Sequence, residues 1–206
     1  MMLNRSMSGR RKRHSGRRHA PMRWFLLLAV AGLLAGGWMI WRMWFGINDR
    51  LYYTQIVHAA HRHGLDPELV RAVIWRESRF DSRAVGKAGE IGLMQILPGG
   101  AVAEWSRIMR RPAPPEWQLF RPEVNLEIGC FYLARALRRW DGYRCATELA
   151  LCQYNAGERR AQRWRPENPQ EADMTDRITI RSTREYVRSI MKRYQRYRQE
   201  RERSRQ

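Results

Sequence analysis

The sequence predicts an all-α domain preceded by an N-terminal apolar helix. Three observations point there. Apolar residues recur at helical rather than alternating spacing through most of the chain after Asn48, as at Leu69, Val70, Val73 and Ile74. Helix starts and stops are written in capping residues: Asp66-Pro67 opens one segment, and Gly64 closes the one before it. No strand-rich region, internal repeat or phosphate-binding loop is present, and 206 residues leave room for one folded domain.

Residues 1–23 hold Arg5, Arg10, Arg11, Lys12, Arg13, Arg17, Arg18 and Arg23 and no acid. Such a block cannot bury enough apolar surface to order itself, so it is expected to be a basic disordered segment. Residues 24–44 then open with the run WFLLLAVAGLLAGGWMIW. At ~1.5 Å per residue this run reaches across a bilayer's hydrocarbon core. Trp24 at one end and Trp38, Trp41 and Trp44 at the other suit the two interfaces, and the arginines in front set the N-terminus on the cytoplasmic side. The expectation is an uncleaved transmembrane signal anchor, with the basic arm on anionic lipid headgroups and the rest of the chain exported. Three alternatives stand beside it: a signal peptide cut near Ala35-Gly36-Gly37, twin-arginine export through Arg17-Arg18, and a buried soluble helix. The formal net charge of +19 calls for a polyanionic neighbour. Nucleic acid is disfavoured as that neighbour, because the charged arm and the folding core would lie on opposite sides of the membrane.

After the anchor, residues 48–63 read as a helix. Its His58, His61 and His63 lack a carboxylate or cysteine at ligand spacing, so they are read as solvated surface and no metal site is expected. The next helix begins at Asp66, and its apolar stripe, followed one turn further, reaches Glu77. A carboxylate on a buried stripe is raised in pKa toward the protonated form that a general acid needs. A glutamate at the exposed edge of the stripe fits the same spacing. Glycines 86, 89, 92, 99 and 100 mark a loop where backbone comes close to something.

Residues 101–111 can form one more helix, and a proline-broken loop follows over 112–122. Asn125 is expected to cap a helix running to Trp140, with Ile128, Phe131, Tyr132, Leu133 and Leu137 on its inner side. Residues 145–154 read as a short apolar helix, 159–180 as polar and irregular. The last helix starts at Ser182, with Glu185 completing a capping box, and carries Tyr186, Val187, Ile190, Met191 and Tyr194 inward. Beyond Tyr197 the pattern is lost, so 198–206 is expected to be a fraying basic tail. Export would allow a disulfide, but Cys145 and Cys152 on one helix would be ~10 Å apart, too far to bridge; a bridge from Cys130 to another helix is the alternative to the expected buried free thiols.

Four blocks in order carry a resemblance. Glu77-Ser78-Arg79-Phe80 leads through Ala84-Val85, Gly89 and Gly92-Leu93-Met94-Gln95-Ile96 to Pro98. Asn125, Gly129, Tyr132 and Leu133 follow, then Tyr154-Asn155-Ala156-Gly157, and finally Thr183-Arg184 with Tyr186-Val187. Together they resemble the soluble lytic transglycosylase family over roughly residues 51–193. The resemblance implies a lysozyme-like helical catalytic domain over 45–197 that acts on peptidoglycan glycan strands without metal or cofactor. It implies Glu77 as the catalytic acid, with Ser78, Met94, Gln95, Tyr154 and Asn155 shaping or lining the substrate site and Tyr154 beside the acid. Ordinary glycosidases use two carboxylates. The family uses one glutamate for both proton transfers, cleaving the bond between N-acetylmuramic acid and N-acetylglucosamine to leave 1,6-anhydromuramoyl ends. The chain departs from the family pattern at Gly86, where serine is usual, at Glu90 in place of alanine, and at Gly100 in place of threonine. Glu90 is thereby a candidate second carboxylate, which would fit a hydrolytic muramidase like the related goose-type lysozymes. A catalytically inactive wall-binding module is the third reading.

Overall fold

In the computed structural model the described residues are 27–37, 39 and 49–206. The chain divides into two compact units, residues 1–43 and 44–206. In the first, 27–37 are helical, and Leu27, Leu28, Val30, Leu33 and Leu34 are exposed. The expected basic arm, and residues 24–26, 38 and 40–44 of the expected anchor, lie outside the described residues. No helix among those described is long and apolar enough to cross a membrane.

The second unit is all-helical, its only β pairing among the described residues being the isolated bridges Val85–Ile91 and Ile91–Ile96. Helices α1 (Tyr53–Arg62) and α2 (Pro67–Glu77) come first, joined through Gly64 in the left-handed region at φ +67°. Leu65 N–H bonds back to Ala60 O at 2.9 Å across that turn, which closes α1 as the glycine foretells. Asp66 caps α2, its Oδ1 accepting from Glu68 N–H at 3.0 Å, and Pro67 takes the first helical position. Then follow α3 (Gly100–Met109), a 3₁₀ turn over Glu116–Phe120, α4 (Pro122–Arg139), α5 (Ala146–Ala156), α6 (Glu158–Trp164) and α7 (Arg181–Arg203). At the start of α3, where Gly100 replaces the family's threonine, no side chain caps the helix.

Helix α2 lies along α7, while α4 packs on α1 and α5. The α2–α7 pair is antiparallel and fastened at both ends. Tyr194 Oη donates to Asp66 Oδ2 at 2.8 Å and Arg201 pairs with Oδ1 at 3.1 Å, at the start of α2. At its end Tyr186 reaches Glu77. Arg201 explains why α7 continues to Arg203 where fraying beyond Tyr197 is expected: its outer turns have a partner in the core, and Arg196–Glu200 and Arg198–Glu202 pair along its surface.

Three other expectations are corrected. Asn125 is not a cap: α4 starts three residues earlier, with Pro122 in its first turn, and Asn125 is fully buried within it. Ser182 and Glu185 form no capping box, because α7 begins at Arg181 and Glu185 pairs with Arg181 at 2.8 Å. Residues 159–180 are not merely polar and irregular. They contain most of α6 and anchor themselves with buried Ala161, Trp164, Met174 and Ile178, the Trp164 indole N–H donating to Thr179 Oγ1 at 3.1 Å. All three cysteines are free and buried.

Candidate active site

Glu77 is the last residue of α2. Burial pushes its carboxyl up to about 7, and the negative charge of Glu90 adds to the effect, while the Tyr186 hydroxyl and the Arg76 guanidinium oppose it. The C-terminal end of a helix carries partial negative charge, a further reason for the proton to stay. Tyr186 Oη donates to Glu77 Oε1 at 2.6 Å, a short bond of the kind made to an ionisable acceptor. The site thus keeps the protonated form well populated at neutral pH and holds a donor against the carboxylate form.

Immediately beyond Glu77 the chain turns through two consecutive non-glycine residues in the left-handed region, Arg79 at φ 56° and Phe80 at φ 64°. Two contacts hold this turn: Phe80 is buried in the core, and Arg79 Nη1 donates to Trp75 O at 2.9 Å, closing the exposed end of α2. Ser78 Oγ donates to Leu93 O at 2.8 Å, tying the end of α2 to the glycine loop.

The loop from Ala84 to Ile96 is folded by its own backbone. Gly86 N–H bonds to Glu90 O at 2.7 Å, Gly92 N–H to Ala84 O at 2.9 Å, and Ile91 and Ile96 exchange two bonds of 3.0 Å. Helix α4 supplies its seat. Asn125 Oδ1 accepts from Met94 N–H at 2.8 Å, and its Nδ2 donates to Ile91 O at 2.7 Å and Leu119 O at 2.8 Å. One turn on, Gly129 is bare because a Cβ there would stand 2.4 Å from Met94 Sδ. Gly92, at φ +77°, faces Asn125 Nδ2 and Leu119 O so closely that a Cβ would sit 2.4 and 2.6 Å from them. Asn125 and Gly129 therefore work as one seat for the loop.

The departures at Gly86 and Glu90 are one feature. A Cβ on Gly86 would lie 2.2 Å from Glu90 Oε2 and 2.7 Å from Gln95 Oε1. The Glu90 carboxylate, anchored by Ala88 N–H at 3.0 Å, occupies the space in which a larger residue 86 would place its side chain. The Glu90 side chain fills space that glycine at 86 leaves open.

The expected site residues divide accordingly. Tyr154 is beside the acid, near enough that the Glu77 charge and burial both push its hydroxyl upward, and its Oη donates to Met94 O at 2.9 Å. Gln95, with left-handed backbone at φ 50°, lines a cavity of about 330 Å³ with Tyr154, Leu97, Glu104, Tyr132 and Arg135. Its Nε2 is bonded to Gly92 O at 2.9 Å and Ala84 O at 3.3 Å, so it also shapes the loop. Asn155 is exposed and accepts from Thr183 Oγ1 at 2.9 Å, fixing α5 to α7. Ser78 and Met94 do not line the site with their side chains: Ser78 is bonded inward, and Met94 is fully buried against Gly129 and offers the site only its carbonyl. His63 meets a carboxylate after all, with Nε2 3.2 Å from Glu127 Oε1 on α4. No metal-binding cluster forms among the described residues.

Sequence reasoning alone misses Tyr186 and Arg76. Tyr186 belongs to the fourth motif block, yet its place on an apolar stripe makes it look like core. A tyrosine on such a stripe is itself a signal, since a buried phenol needs a polar partner.

Comparison with known proteins agrees with this geometry. Residues 55–176 match the transglycosylase SLT domain family. X polypeptide of Escherichia coli strain K12 is 30% identical over 127 residues, covering 61% of this chain and 73% of that protein. Membrane-bound lytic murein transglycosylase C of Histophilus somni strain 2336 is 35% identical over 116 residues, covering 54% of this chain and 32% of that protein. Among solved structures, an inactive glutamate-to-glutamine variant of lytic transglycosylase Slt from Pseudomonas aeruginosa superposes with a TM-score of 0.64 at 31% identity. The 70 kDa soluble lytic transglycosylase of Escherichia coli gives 0.62 at 25% identity; each alignment covers 71% of this chain and 24% of the other. The chain thus spans about three quarters of X polypeptide and a quarter to a third of these named transglycosylases. It belongs to the transglycosylase SLT domain family, with the all-helical, lysozyme-like fold of the lytic transglycosylases.

Proposed function

We propose that this chain is a membrane-anchored peptidoglycan lytic transglycosylase in which Glu77 acts first as acid and then as base. The observation that carries the reading is the state of Glu77: half-buried, raised to about 7, and hydrogen-bonded by Tyr186. Protonated Glu77 gives its proton to the oxygen between N-acetylmuramic acid and N-acetylglucosamine. The bond from that oxygen to the muramoyl C1 breaks, N-acetylglucosamine leaves with the proton on its hydroxyl, and the substrate's 2-acetamido oxygen stabilises the positive charge at C1. Ionised Glu77, held by Tyr186, then takes the proton of the muramoyl C6 hydroxyl as that oxygen attacks C1. Because nucleophile and electrophile share one ring, the step is intramolecular and consumes no water. Tyr154, on which the Glu77 charge acts, and Gln95 line a cavity in which a sugar would rest.

The anchor is the helical run around 27–37. Its exposed leucines need an apolar cover, and the tryptophans and arginines of the flanking sequence suit a single pass with the N-terminus in the cytoplasm. The catalytic unit then works in the periplasm on the wall. A membrane-bound relative by name is consistent with this.

Digestion of purified peptidoglycan by the full chain, followed by mass spectrometry, tests the chemistry. The expected products are one water lighter than reducing muropeptides, and Glu77→Gln abolishes them. A second reading, hydrolysis, is favoured by one observation, the Glu90 charge acting on Glu77. Reducing ends that vanish with Glu90→Ala would establish it. A folded chain that sediments with the wall and releases nothing would instead be a binding module.

A further inference from the structure

The end of the α2–α7 interface nearest Glu77 carries cations that carboxylates do not serve. The guanidinium carbons of Arg79 and Arg193 lie 3.4 and 3.8 Å from the centroid of the Trp75 ring, too close together to share one face, so the indole is held between two charges. Arg76 stands 5.4 Å over the ring of Tyr186, the phenol that donates to Glu77. Elsewhere on the same helix pair, half-buried Arg71 meets Asp49 and Glu68, Arg201 meets Asp66, and Arg184 is spent on the Ile178 carbonyl. Among the described residues, Arg76, Arg79 and Arg193 form no ion pair, although all three are half-buried. Burial and the nearby Arg76 and Arg193 guanidiniums hold Arg79 below its ordinary value, and burial does the same to Arg193. Like charges gathered this closely repel, and an anion from outside would ease the arrangement. Stacking on Trp75 fixes the planes of two guanidiniums; Arg79 gives one Nη1 hydrogen to Trp75 O, and its other N–H groups can meet a planar acceptor.

We infer that Arg76, Arg79 and Arg193 form an anion site beside Glu77 that takes a free carboxylate of the peptide stem on the glycan being cleaved. The identity of the ligand rests on the proposed function. A stem attached to the muramoyl residue must pass close to the catalytic acid when that residue's glycosidic bond is in place. It brings the carboxylates that the Trp75 sandwich is shaped to bind. The site would make the enzyme distinguish peptide-bearing from peptide-free glycan.

Two substrates test this: glycan strands carrying their peptides, and the same strands stripped by an amidase. For the full chain with Arg79→Gln and Arg193→Gln together, kcat/KM is expected to fall at least tenfold further on peptide-bearing than on stripped strands, chiefly through KM. Arg79→Lys with Arg193→Lys, which keeps charge but loses the fork, is expected to fall between. Equal losses on both substrates, or none, overturn the proposal. Co-sedimentation in a Glu77→Gln background gives a readout independent of turnover. Weaker retention of the arginine variants on peptide-bearing strands alone supports the site even if the chain cleaves nothing. Unchanged retention there, with binding lost to phosphatidylglycerol vesicles instead, assigns the cluster to lipid and overturns it.

Discussion

On one side of Glu77 the α2–α7 pair is held by side chains meeting side chains, with Tyr186 on the acid and Tyr194 and Arg201 on Asp66. On the other, the loop from Ala84 to Ile96 is held by its own backbone, by bare glycines, and by one amide reaching in from α4. The helical side fixes chemistry and the loop side fixes shape. Loss of one contact on the helical side leaves the backbone in place and alters proton affinity. On the loop side the contacts are to buried peptide groups that shape several residues at once, so a single change disturbs the whole turn.

The sharpest break in that comparison is Asn125→Ala. It removes three buried hydrogen bonds, taking that partner from Met94 N–H and Leu119 O while Ile91 O keeps the Ile96 N–H, and a loss of about 4 kcal/mol in urea unfolding is expected. Glu77→Gln should move stability the other way. A carboxyl raised from 4.5 to about 7 makes the folded state bind more protons than the unfolded one between those values, so wild-type stability falls as pH rises through that window. The glutamine variant lacks this slope and is expected to be more stable than wild type by about 3 kcal/mol above pH 7, seen as a pH-dependent difference in Tm. Wild-type activity should decline over the same pH range as the acid is lost.

Tyr186→Phe comes next, at about 2 kcal/mol in the barrier, or ten- to hundredfold in kcat. Because the hydroxyl lowers Glu77, its loss should also carry the alkaline limb of the pH profile to higher pH, which a purely structural role would not do. The smallest effect is Gly86→Ser, at about 1 kcal/mol, since the atoms it meets are the mobile ends of Glu90 and Gln95. Adding Glu90→Ala should recover part of that loss, and additivity in the double-mutant cycle would sink the claim that the two positions are coupled.

Much of the helical side is legible in the sequence. Asp66 and Pro67 announce the start of α2 by local chemistry alone, and the stripe ending at Glu77 follows from periodicity. Asn125 misleads because an asparagine near a helix start looks the same whether it caps its own helix or bonds a loop 31 residues away. The signal that separates the two is Pro122, which marks the first turn by itself. Met94 and Ser78 sit in motif blocks, and a motif does not say whether a residue faces substrate or holds the wall that does. Trp164, Met174 and Ile178 are too sparse to give a period, so only tertiary packing reveals them as anchors.

The bond from Tyr186 to Glu77 joins residues 109 positions apart, and the helix that supplies the tyrosine closes the folded unit. A chain still leaving the ribosome or an export channel has made its acid, its glycine loop and Asn125 long before that helix exists. Until α7 docks, Glu77 has neither the enclosure that keeps it protonated nor the donor that steadies its anion. On the proposed mechanism the order of synthesis acts as a safety catch: a fragment stalled or cut before α7 carries Glu77 and is expected to leave the glycan around it intact.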